Sequence, residues 1–206
     1  MKLSFENSSS KRIAFQLGSC TLLPWRNKWE VLNNVLQEVE NKPVVIDEYT
    51  DLCRYLPHRG PAMMVRNITI YSSVHAVSEL ELWGGPYFEG HYDDDPIFPG
   101  HWLLELFSQV GCILHAFASQ SDFVSLEHKP VLREVRNLEY KAAIKPPCRL
   151  IAVVKAEAHT KRRWDFAATA YVDGELVARG SFLGVLVSKK ILERMYAKKS
   201  NGGSVR

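Results

Sequence analysis

The segment that most constrains the fold runs Trp102, Leu103, Leu104, Leu106, Phe107, Val110, Ile113, Leu114, Phe117. Its length and spacing predict a helix that is apolar nearly all round, and such a helix has to lie buried in the middle of a domain. Strand signals surround it. Residues 63–71 and 74–83 precede it; residues 132–140, 149–158, 163–172 and 175–187 follow, rich in β-branched residues with rough alternation. Asp173-Gly174 between the last two is a strong two-residue hairpin signal. One buried helix among strands in antiparallel order predicts an α+β domain, with an antiparallel curved sheet wrapped around a long central helix. A single sheet of this kind leaves an edge bare, which pairing in a dimer would protect.

Three regions are expected. Residues 1–43 form an extension, polar at first, with a weak strand signal over 12–23. Trp29, Leu32, Val35, Leu36 and Val39 then mark an amphipathic helix over about 28–40. Residues 44–188 form the main domain, opening with a short helix capped by Asp47 and ending at Tyr55, before Leu56-Pro57. Residues 189–206 form a basic helical stub with a Gly/Ser tail.

Composition narrows the function classes. The 26 basic and 23 acidic residues leave a net charge of +3, too weak to argue for nucleic acid. No apolar stretch approaches the length of a membrane span, and the polar start lacks the core of a secretory signal. Cys20, Cys53, Cys112 and Cys148 show no CxxC spacing, and free thiols suit a reducing compartment. The chain reads as cytoplasmic.

The chemistry-bearing residues lie between Tyr87 and Gln109. His91 stands in a Gly-bounded loop, Pro99-Gly100 opens the central helix, and Glu105 is a lone carboxylate on an apolar helix. A neutral imidazole at His91 can accept a proton. The Gly100 N–H at the helix start can hold a thioester oxygen that gains negative charge, and glycine allows a ligand to approach the backbone. Burial of Glu105 would favour its protonated form, a donor for a departing hydroxyl. The set suits β-elimination of water. His101 is a rival base. His58 is expected to brace the Leu56-Pro57 turn, and His115 to be a core or interface histidine. The Asp93-Asp94-Asp95 run suggests a solvated loop rather than a metal site, and no metal is expected.

These residues resemble the 3-hydroxyacyl-[acyl carrier protein] dehydratases, a hotdog-fold family. The shared pattern is Leu56-Pro57-His58-Arg59, Gly90-His91-Tyr92, Pro96, Pro99-Gly100, Glu105, Gln109 and Gly111, with Trp164-Asp165-Phe166 and residues 172–178 near the family's final hairpin. The resemblance implies a homodimer, or a trimer of dimers. His91 would act as base at the α-carbon, Glu105 of the other subunit as acid at the β-hydroxyl, and Gly100 N–H as the carbonyl's donor. It also implies acyl carrier protein as partner, with the substrate on its phosphopantetheine arm and no metal or redox cofactor. Arg133, Arg136, Lys161, Arg162 and Arg163 are candidates, by charge, for a basic rim at the tunnel entrance. Tyr92-Asp93, Val65-Arg66-Asn67, His101 and Trp102 depart from the usual pattern and point to a specialised acyl substrate, such as a polyketide. Two other functions compete: a hotdog acyl-thioesterase, and a non-catalytic subunit that binds acyl chains or a partner.

Overall fold

The computed structural model describes residues 42–120 and 128–201; the amphipathic helix expected over 28–40, the strand signal over 12–23 and the Gly/Ser tail from 202 lie outside them. The elements in chain order are β1 (Val44–Ile46), α1 (Tyr49–Tyr55), a 3-10 turn (Gly60–Ala62), β2 (Ile68–Ile70), β3 (His75–Leu82), α2 (Gly100–Ala118), β4 (His128–Tyr140), β5 (Cys148–Thr160), β6 (Arg163–Val172), β7 (Glu175–Ser188) and α3 (Lys189–Asn201). The strands form one seven-stranded sheet in the order β1-β2-β3-β5-β6-β7-β4, and every adjacent pair is antiparallel. The sheet curves around α2, the hotdog arrangement.

The reason lies in α2. Leu103, Leu106, Phe107, Val110, Cys112, Ile113, Leu114 and Ala116 are all buried, so most of this helix's surface is closed to water and the sheet wraps around it. Leu80, Leu82, Leu150, Val154, Phe166 and Phe182 supply the sheet's side of the same core. Asp173 (φ 51°) and Gly174 (φ 86°) both take left-handed backbone, as a tight hairpin between β6 and β7 requires.

Two local readings change. The strand expected over 63–71 is reduced to Ile68–Ile70. Met63, Met64 and Val65 are fully buried, but the N–H groups of Met64 and Val65 donate to the side chain of Gln109 at 2.9 and 3.2 Å instead of to a neighbouring strand. Helix α1 is preceded by Glu48, which makes no side-chain cap; Asp47 is not its cap. Its other end is closed by Arg59, whose guanidinium donates to the carbonyls of Leu56 (2.6 Å), His58 (2.6 Å) and Cys53 (3.1 Å). Carbonyls at a helix end have no intrahelical donor, and a cation there also complements the helix dipole.

Candidate active site

His91 is held by its own loop. Gly90 and Tyr92 on either side take positive φ, 72° and 64°. That conformation costs a non-glycine residue energy and survives where neighbours enforce it. The His91 N–H donates to the Phe88 carbonyl at 3.0 Å, and Nδ1 lies 2.7 Å from the carbonyl oxygen of Ile97. A carbonyl can only accept, so Nδ1 carries the proton, and in the neutral ring Nε2 is left with a free lone pair. The Tyr92 ring meets the imidazole edge-on, centroids 4.6 Å apart.

Gly100 is the first residue of α2, after Pro99, where helix N–H groups have no partner within the helix and carry positive partial charge. Its lack of a side chain has a second use. A Cβ at this position would fall 2.7 Å from the ring of Tyr140, so the glycine admits the tyrosine against the helix start. Burial raises the Tyr140 pKa, keeping its hydroxyl protonated.

Glu105 lies on the next turn of α2. Its side chain is 38% exposed, not enclosed in apolar surroundings as the sequence suggests. Its Oε1 accepts a hydrogen bond from Gln109 Nε2 at 2.7 Å and lies 3.2 Å from His58 Nε2. Gln109, 1% exposed, is in turn fixed by the backbone of residues 62–65: its Nε2 also donates to the Ala62 carbonyl (2.6 Å) and its Oε1 accepts from Met64 and Val65. Glu105 opens on a cavity of about 90 Å³ whose walls include Ser108, Cys112, Leu132, Trp164 and Gly184. His91 is not among the residues lining it.

Of the histidines, His115 lies in the core as the sequence suggests, whereas His58 does not brace its turn. His58 faces Glu105, and Arg59 braces the turn. His58 Nδ1 is buried with no hydrogen-bond partner among the described residues. The link between His58 and Glu105 has no local signal, because they stand 47 positions apart in the chain; only the fold joins the segments. His101 is exposed and packs on Trp102, centroids 5.1 Å apart; it lies outside the Glu105 cavity. His115 is in the core, 3% exposed, and burial, then the nearby His159, lowers its pKa to about 4.

Charge at the expected rim is partly spent. Arg136 and Arg163 both pair with Asp165, at 2.5 and 3.0 Å; these contacts hold the Asp165 carboxyl below its usual pKa, the Arg163 hydrogen bond first. Arg133, Lys161 and Arg162 are exposed. In the aspartate run, Asp95 pairs with Lys145 at 2.6 Å.

Known proteins share this framework. A FabA-like domain matches residues 56–181. The chain is 31% identical over 139 residues to the 3-hydroxyacyl-[acyl-carrier-protein] dehydratase FabZ of Campylobacter lari, covering 66% of this chain and 94% of the relative. It is 29% identical over 147 residues to the protein of the same name from Campylobacter curvus, covering 69% and 99%. Among solved structures, the dehydratase heterocomplex ApeI:P from Xenorhabdus doucetiae superposes with a TM-score of 0.60 at 16% identity, covering 70% of this chain and 96% of that one, a likeness of fold. With the matched domain spanning His58, His91, Gly100, Glu105 and Gln109, the chain belongs to the FabA-like family.

Proposed function

We propose that the protein is a hydro-lyase that removes water from a 3-hydroxyacyl thioester carried on acyl carrier protein, giving the trans-2-enoyl thioester, in fatty acid or specialised acyl synthesis. The observation that carries this reading is the way each ring or carboxyl atom is committed. His91 spends Nδ1–H on Ile97 and keeps Nε2 as an acceptor. Glu105 accepts from Gln109 on Oε1, and His58 Nε2 stands 3.2 Å from the same oxygen, so a proton on this carboxyl belongs on the uncommitted Oε2. One group is set to take a proton and the other to give one.

In this mechanism Nε2 of His91 removes the proton from the α-carbon. Negative charge gathers on the thioester oxygen, which the Gly100 N–H at the start of α2 stabilises. Glu105 Oε2–H protonates the β-hydroxyl, which departs as water while the double bond forms between the α- and β-carbons. The balance needs only these two groups and the substrate; we assign no metal or redox cofactor to it. The names of the FabZ relatives support the substrate class.

The second half of the reading is a homodimer that completes each site. Among the described residues strand β4 is an edge strand of the sheet, paired only with β7, and Val131, Leu132 and Val135 on it are exposed. Thirteen residues of partly apolar bare edge favour pairing with another strand. Pro130, Val131 and Leu132 also line the cavity at Glu105, so a second copy seated on β4 brings its His91 loop toward that carboxyl. Free thiols at Cys53, Cys112 and Cys148 suit a cytoplasmic enzyme.

The test is incubation of the full chain with 3-hydroxyacyl carrier protein. Enoyl absorbance with loss of water is expected. Release of free thiol without enoyl product would replace dehydration by thioester hydrolysis, and no turnover of any acyl group would leave a binding subunit.

A further inference from the structure

The cavity beside Glu105 has a floor, and its construction is specific. Ser108 and Cys112 follow Glu105 at three and seven positions along α2, on one face of the helix, and line the same cavity. His115 continues that stripe, about 15 Å along the axis from Glu105 at about 1.5 Å per residue. The indole of Trp164, also in the cavity wall, stacks on the His115 ring with centroids 4.4 Å apart and planes 18° from parallel. Trp164, with Phe166, therefore stands between this cavity and a second small one lined by Gly111, Leu114 and His115.

The same indole fills the space where residue 184 would carry a side chain. A Cβ on Gly184 would lie 2.2 Å from Cε2 of Trp164 and 2.4 Å from Cζ2. Only glycine leaves room, and Gly184 pairs directly with Trp164 across β6 and β7. Trp164 is thus confined by His115 and by the β7 backbone, and it is buried. The cavity beside it is about 90 Å³ in the single chain, small enough that the bulk of this one ring bears on what enters.

We propose that Trp164 is the specificity-determining floor of the acyl site: held by His115 and Gly184, it sets how much chain beyond the β-carbon is accepted. The inference rests on the dehydratase reading of the Glu105 cavity. Each methylene gained or refused in an apolar pocket changes kcat/KM by roughly 10- to 200-fold, so one rigid ring is enough to define a chain-length class.

The experiment measures kcat/KM of the full-length protein for a series of straight-chain 3-hydroxyacyl thioesters, from short to long. Trp164→Leu and Trp164→Phe enlarge the cavity, and the ratio of long-chain to short-chain kcat/KM should rise about tenfold or more. Trp164→Phe keeps a ring on His115 and guards against loss of fold in the leucine variant. Gly184→Ala would set a Cβ 2.2 Å from the indole and force the ring to shift, so the ratio should depart from the wild-type value in a folded variant. Folded Trp164 variants that keep the wild-type profile would overturn the proposal. A wild-type protein that makes no enoyl product from any chain length would instead overturn the dehydratase reading, so the two failures are distinct.

Discussion

Gln109 holds Glu105 to the polypeptide ahead of β2: one amide group donates to Oε1 of Glu105 and to the Ala62 carbonyl while accepting from Met64 and Val65. Gln109→Ala strands two buried N–H groups and a carbonyl, each an unmade hydrogen bond of about 1–3 kcal/mol. A total loss of roughly 3 kcal/mol in urea unfolding is expected, with kcat falling more than KM rises, because the carboxyl loses its orientation. Unchanged kcat in a folded Gln109 variant would separate this amide from the chemistry.

His91→Ala and Glu105→Gln should each abolish enoyl formation while leaving circular dichroism intact. If the acid and base of one site come from different subunits, co-expressing the two variants should regenerate a fraction of the sites with both groups present. Activity that reappears in the mixed dimer and is absent from each parent is the expected outcome. Restoration would not occur if both groups served one site from a single chain, since neither subunit then carries an intact pair.

His115 makes stability fall in mild acid. Its folded pKa of about 4 lies below the ordinary value near 6.5, so the unfolded chain binds the proton first. Stability is fully present above about pH 6.5 and is lost as pH falls from there toward 4, by up to about 3 kcal/mol. Urea midpoints at pH 7 and pH 5 should differ less in His115→Phe, which keeps a ring on Trp164 and removes the titration. An equal pH response in that variant would assign the acid sensitivity to other groups.

Arg59 closes the end of α1 and shapes the turn that presents His58. Arg59→Ala removes donors to three carbonyls and should cost about 2 kcal/mol by thermal unfolding. Arg59→Lys, with a point charge in place of the planar fork, should recover less than half of it. Full recovery by lysine would show that charge alone suffices there.

Much of this protein is legible along the chain because it depends on neighbours in sequence. The apolar run from Trp102 to Phe117 forces a buried helix, Asp173-Gly174 forces a hairpin, and the His91 loop is organised by bonds to Phe88 and Ile97 within a few residues. Tertiary structure alone decided the rest, because those contacts join segments far apart in the chain. Gln109 takes the N–H groups of Met64 and Val65 out of a strand that their own side chains favour. His58, next to a turn, faces a carboxylate 47 positions away. Glu105, apolar on both sides in sequence, is left partly open because α2 turns that face toward a cavity. A helix's periodicity tells which residues share a face; which face is closed by a sheet, and which opens on a cavity, is settled only when the strands have chosen their order.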